Sequence, residues 1–406
     1  MSHYPTRQLG EICSIVSGGT PSRKVPDNFG GDVPWVKIGD MLQGVVRHTD
    51  ERITADGLNN SAAKMLPQGT VLISIFATVG RTAVLGIDAA TNQAIAGLIV
   101  KDELLVDSVY LRQFLDSYVA TIVGRARGVA QVNINLAILK SIPIPLPSLD
   151  EQRRIADVLD RVDDLRAKRR KSIALLDDLT QSIFLDMFGE PSAGGTYVTV
   201  AELANASAGS IRTGPFGSQL LHEEFTNTGI PVLGIDNTVD NEFVWGKSRF
   251  ITEEKYQQLS RYTVRPGDVV ITIMGTLGRC VVVPDDIPVA INTKHLCCIT
   301  LNQDLCLPEY LHSYFLLHSD AQRYLTGSAK GAIMAGLNMG IIRKMPVHVP
   351  PIARQKEYRT RIRTVRALKD AHITDLAHLD ALFSSLQSRA FKGDLWKDDT
   401  KHQEGE

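Results

Sequence analysis

Few residues in this 406-residue sequence stand at spacings that could do covalent chemistry. Pro284-Asp-Asp286 with Lys294 comes nearest to a nuclease site, in which two acids and a lysine would hold a metal ion and polarise a phosphate. Acids beside a proline are also ordinary turn formers. Trp245-Gly-Lys-Ser248 has the tail of a phosphate-binding G-x-x-x-x-G-K-[ST] loop, but Asn241 stands where the first glycine is needed. His295, Cys297, Cys298 and Cys306 could suggest a metal, yet HLCCITL lacks paired-ligand spacing and reads as a buried strand. There is no G-x-S-x-G elbow, no H-E-x-x-H helix and no Asn/Asp-Pro-Pro-aromatic tetrapeptide. These absences point away from an enzyme.

What remains is cationic. Arg125 and Arg127 lie in Gly124-Arg-Ala-Arg-Gly-Val-Ala130, and Lys330 lies in Gly327-Ser-Ala-Lys-Gly-Ala-Ile333. The flanking glycines would let backbone approach a phosphate. Arg81 and Arg279 each follow an apolar run in Thr-x-Gly-Arg, where the plainer role is to cap a strand end. Arg23 ends Ser17-Gly-Gly-Thr-Pro-Ser-Arg23, Arg212 opens Arg212-Thr-Gly-Pro-Phe-Gly-Ser218, and Lys37 lies in Val33-Pro-Trp-Val-Lys-Ile38. These eight are the candidate contacts for a polyanion such as nucleic-acid phosphate. Were the ligand DNA, arginine would read guanine, and Asn or Gln adenine. A basic stripe of seven residues with one acid, Glu357, runs from Arg354 to Lys369. It is either a solvated helix face or a contact for phosphate or an acidic partner.

The elements that must carry these residues occur twice. Residues 148–190 read as one long helix, and 351–394 repeat it. Leu149 matches Ile352, Gln152 matches Gln355 and Phe188 matches Phe391, always 203 apart. A heptad seam runs through Ile155, Val158, Val162, Leu165, Arg169, Ser172, Leu176, Leu179 and Ile183. Its counterpart is Val365, Leu368, His372, Asp375, Leu379, Leu382 and Leu386. Neither helix can keep such a seam in water, so each needs a partner.

The segments before the helices, 1–147 and 191–350, also match. Gly69-Thr-Val-Leu-Ile-Ser-Ile-Phe-Ala-Thr-Val-Gly-Arg81 aligns with Gly267-Asp-Val-Val-Ile-Thr-Ile-Met-Gly-Thr-Leu-Gly-Arg279, and Asn135 with Asn338. Short strand-like runs between turn signals, with a helix over 108–123, give each segment a mixed α/β character. The chain is thus a tandem duplication of body and helix, with 395–406 expected to be a disordered tail. Hydrophobic content of 44%, charged content of 22% and a net charge of −1 are ordinary for a soluble chain. The five cysteines form no C-x-x-C pair, and MSHYPTRQLGEI lacks a signal core. A cytoplasmic location is expected.

Pro-Leu-Pro-Ser-Leu-Asp-Glu-Gln-Arg-Arg-Ile (145–155), the Ser-Ile-Phe-x-x-Met-Phe-Gly ending (182–189) and the duplication resemble the specificity subunit of a Type I restriction–modification system. The resemblance implies a mixed α+β protein: two tandem α/β target recognition domains separated by two long antiparallel coiled-coil helices, as a pseudo-twofold duplication. It implies that each domain reads half of a bipartite DNA target. The helices would act as a spacer on which two methyltransferase subunits dock. S-adenosylmethionine would belong to those subunits, which methylate adenine; restriction subunits would be optional additions, and this chain would be non-catalytic with no cofactor or metal of its own. The second helix departs from the pattern, with Ala353-Arg354 in place of Asp150-Glu151.

The antiparallel arrangement sets the polar middles of the two seams together, so either Arg169 is expected to approach Asp375 or Asp375 and Ser172 to bond across the seam. The 37 residues from Glu151 to Met187 span roughly 55 Å at 1.5 Å per residue. That is enough to reach major grooves a turn or so apart, at about 34 Å per turn. The other reading from the residues is a scaffold or adaptor with two protein-binding bodies on a helical spacer.

Overall fold

The computed structural model describes residues 3–42, 44–76, 78–125, 134–189, 196–329 and 337–396. The chain forms two compact units. The first joins Met1–Arg170 to Ile373–Glu406, and the second is Lys171–His372. Each long helix is therefore shared, one part in each unit.

In the first unit a five-stranded sheet has the order Cys13–Ser17, Ile95–Val100, Val71–Ser74, Thr82–Leu85, Val45–Val46. A second sheet orders Glu51–Ile53, Phe29–Val36 and Ala90–Thr91. The strands Val71–Ser74 and Thr82–Leu85 are buried throughout, which is why they read as unbroken apolar runs and not as an alternating pattern. Thr6–Gln8 pairs antiparallel with Pro143–Pro145, and the helix Ser108–Arg125 lies on the larger sheet.

The second unit repeats this plan. One sheet has the order Ile211–Thr213, Leu296–Ile299, Val269–Thr272, Cys280–Val282, and the other Phe250–Ile251, Ile230–Leu233, Ala290–Asn292, Thr263–Val264. Thr196–Thr199 pairs with Pro346–Val349. Cys297 and Cys298 are buried in the strand Leu296–Ile299.

The long helices are Leu149–Phe188 and Ile352–Lys392. They pack antiparallel within each unit. In the first, Arg169 approaches Asp375 at 3.2 Å and Arg166 approaches Asp380 at 2.6 Å. In the second, Lys369 meets Asp177 at 2.6 Å, and Tyr358 packs edge-on against Phe184 and Phe188.

The seam differs from the sequence expectation on one of its two lines. Ile155, Val162 and Leu176 are buried as expected. Leu165, Leu179, Leu368 and Leu382 are instead 43–50% exposed, and Asp375 lies on the flank. The inward line runs one residue later, through Leu159, Arg166 and Met187 on the first helix and Lys369 and Phe383 on the second. The steps are four then three, where the leucines suggested three then four. Two inward positions hold Arg166 and Lys369, whose stems pack while their charges reach carboxylates, and this polar filling disguised the line. Arg166 lies over the Phe383 ring at 4.3 Å.

The expected tail also begins too early. Leu395 is buried, and Trp396 lies beneath the Arg154 guanidinium at 4.4 Å.

Candidate nucleic-acid interface

Three of the cationic candidates are already partnered. Arg23 reaches Glu51 at 2.7 Å while lying over Phe29, and Lys37 reaches the other oxygen of Glu51 at 3.0 Å. Hydrogen bonds from Lys37 and Arg23 hold the Glu51 carboxyl below its usual range. This cluster fixes the strand Phe29–Val36 to its neighbour and carries about one net positive charge. Arg212 is a correction. It is 7% exposed, ion-paired with the fully buried Asp268, and donates to Thr263 O, Gly209 O and Thr300 Oγ1. All its donors point inward, so it ties the sheet together and does not present itself to a ligand. The glycine loop beside it hid this, because Asp268 is far away in sequence.

Arg81 and Arg279 stand differently. The strand Val71–Ser74 ends in Ser74, whose Oγ donates to Thr78 O and accepts the Arg81 N–H at 2.8 Å. In the second unit Thr272 Oγ1 donates to Thr276 O and accepts the Arg279 N–H at 2.9 Å. Gly80 and Gly278 complete the turns with φ of +91° and +78°, a region that favours glycine. A Cβ on Gly80 would also fall 2.1 Å from Val119. Each turn thus aims an arginine from a fixed base. Among the described residues neither Arg81 nor Arg279 forms an ion pair; the Arg279 guanidinium donates to Thr238 O at 3.2 Å. Arg81 lines an open cleft of about 490 Å³ with Arg112, Asp116 and Arg170.

Arg125 ends the helix Ser108–Arg125, but its side chain, together with Arg127 and Lys330, lies outside the described residues. In the basic stripe, Arg361 pairs with Glu357, Arg363 with Glu309, and Lys369 with Asp177 and Glu242. Much of that stripe is therefore spent inside the second unit.

Residues that hold each body on its helices were not singled out from the sequence. In the first unit Asp160 accepts from Arg112 at 2.5 Å and from Gln113. In the second, Tyr358 donates to Ser313 at 2.7 Å, and Glu242 accepts from Lys369 at 2.8 Å. Gln152 and Gln355 are fully buried at corresponding helix starts. Their spacing of 203 was the available signal.

The repeated body on a shared antiparallel helix pair, with a matched arginine turn in each body, defines a two-part recognition scaffold. The pattern of the Type I restriction modification DNA specificity domain matches twice, over residues 1–175 and 200–375, and the chain belongs to that family. It is similar to the EcoBI specificity subunit of Escherichia coli, with 21% identity over 95% of this chain and 85% of that one. The MjaIX specificity subunit of Methanocaldococcus jannaschii is 27% identical over 46% of this chain and 44% of its own length. The alignment to the Escherichia coli EcoR124I/EcoR124II subunit, at 31% identity, covers 41% of that chain, so this match and the MjaIX match each span less than half of the relative. The fold is that of the S subunit from M. genitalium, with a TM-score of 0.59 at 16% identity over 96% of each chain.

Proposed function

We propose that this chain is the DNA-reading, non-catalytic subunit of a Type I restriction–modification complex, each unit recognising one half of a bipartite target. The observation that carries the reading is the double match of the specificity-domain family, together with a matched turn in each unit whose arginine forms no ion pair among the described residues. Cationic side chains on fixed backbone suit phosphate contact, which positions a protein on duplex DNA while neighbouring surfaces read bases.

The helix pair supplies the spacer. Its flank carries Leu165 and Leu382 in the first unit and Leu179 and Leu368 in the second, each about half exposed. Leu165 corresponds to Leu368 and Leu179 to Leu382 at the repeat spacing of 203. Two equivalent apolar patches suit two copies of one partner, the methyltransferase subunit, which would bring S-adenosylmethionine. Restriction subunits are optional further members of the same assembly. Among the described residues no helix is long and apolar enough to cross a membrane.

The test is a map of methylated adenines after this chain is expressed with its methyltransferase in a host lacking adenine methylation. A two-part motif with a fixed unspecified gap is expected. No new methylation, with both proteins folded and associated, would turn the reading toward an adaptor. A continuous motif would retain DNA recognition and remove the two-reader spacer.

A further inference from the structure

The two bodies share their sheets but differ around them. The strand Phe29–Val36 has eight residues where Ile230–Leu233 has four. Val45–Val46 joins the larger sheet of the first unit, whereas the second unit has a separate hairpin, Thr238–Val239 with Glu242–Phe243. Against this divergence the arginine turns keep the same hydroxyl bonds to the turn backbone. They share a further feature that stability does not explain: the residue at the start of each turn is large, apolar and open to water. Phe76 is 44% exposed and Met274, its counterpart, 41%. Leu277, near the tip of the second turn, is also exposed.

A surface retained in both bodies cannot be what distinguishes two different half-sites. It serves what both need. Resting on the DNA-reading function above, we infer that the turns are a sequence-independent grip on the duplex. Phe76 and Met274 lie against sugar and base-stack surface, while Arg81 and Arg279 take the adjoining phosphate. Base reading is left to the surfaces that differ between the units. Apolar side chains at a groove gain contact with any base step, and an arginine beside them supplies charge complementarity.

The experiment uses the full chain assembled with its methyltransferase. Binding is measured on the duplex that the methylation map identifies and on a scrambled duplex of equal length, over a range of salt. The F76A/M274A pair is expected to lose about tenfold on both duplexes alike, with the methylated motif unchanged. The F76L/M274L pair should restore binding. The R81A/R279A pair should reduce the slope of log affinity against log salt by about two. Unchanged affinity in the alanine pair, or a loss confined to the bases of one half-site, overturns the inference. Should the alanine pair fail to fold, the arginine pair decides, and an unchanged salt slope overturns it. An unmutated assembly with no preference between the duplexes overturns the underlying reading instead.

Discussion

Gln152 and Gln355 make the same three hydrogen bonds in their respective units. Gln152 donates to Leu105 O at 2.9 Å and Pro147 O at 3.0 Å, and accepts from the Asp107 N–H at 3.0 Å. Gln355 donates to Leu305 O at 3.0 Å and Pro350 O at 2.9 Å, and accepts from the Leu307 N–H at 2.8 Å. Each amide closes the corner where a body meets its helix, pairing backbone groups that are buried or partly buried there.

Truncating either amide strands these groups. Gln152→Ala and Gln355→Ala are each expected to cost about 2–4 kcal/mol, since every buried group left unpaired costs about 1–3 kcal/mol. Hydrogen exchange resolved by peptide should show the loss in the first unit for Gln152→Ala and in the second for Gln355→Ala. Unchanged protection at 105–107 in the first variant would show the corner is held otherwise.

The helix seam gives a ranking. Leu159, fully buried, should cost about 2–5 kcal/mol when cut to alanine, and Leu165, half exposed, under about 1 kcal/mol. Thermal unfolding of the two variants reads the order directly. The reverse order would put the seam back on the leucines that the sequence suggested.

Arg212→Met should destabilise the second unit by about 3–5 kcal/mol, because it leaves Asp268 charged and unpaired in the interior. Denaturant titration measures this. Salt dependence of DNA binding should stay as in the wild type under conditions where the variant is folded. A reduced slope would return Arg212 to the DNA surface.

Asp116 makes stability depend on pH. Burial pushes its carboxyl from 3.8 up to about 6, against the opposing effects of the Thr82 hydroxyl and Arg112. Between about pH 4 and pH 6 the folded chain keeps a proton that the unfolded chain has released. Stability relative to an Asp116→Asn variant therefore falls as pH rises through that window, and the full cost is present above it. Melting temperatures of both proteins across the window test the sign. A difference that grows in favour of the wild type with rising pH would contradict it.

The duplication, the helices and the mixed character of the bodies were legible because each rests on many residues at fixed spacing. The seam was half legible. Ile155 and Val162 follow apolar identity, whereas Arg166 and Lys369 are inward residues written in charged letters. Arg212 was illegible for another reason: its role depends on Asp268, Thr263 and Thr300, which only the folded sheet brings together. Phe76 and Met274 were in view within an aligned segment, but exposure is a property of the surface and not of the alignment.

The first unit is assembled from both ends of the chain. The His3 N–H donates to Lys392 O, Tyr4 donates to Glu151, and Phe391 packs on Tyr110 at 5.6 Å. During synthesis the second unit has all its residues once position 372 has left the ribosome, while the first waits for the rest of the helix Ile352–Lys392. The earlier-made body is the later to mature. A chain that stopped at residue 372 would hold one complete unit and one open core. Pulse-labelled nascent chains should accordingly show protease resistance appearing in 171–372 ahead of 1–170; simultaneous protection would mean that the first body closes without its distant strand of helix.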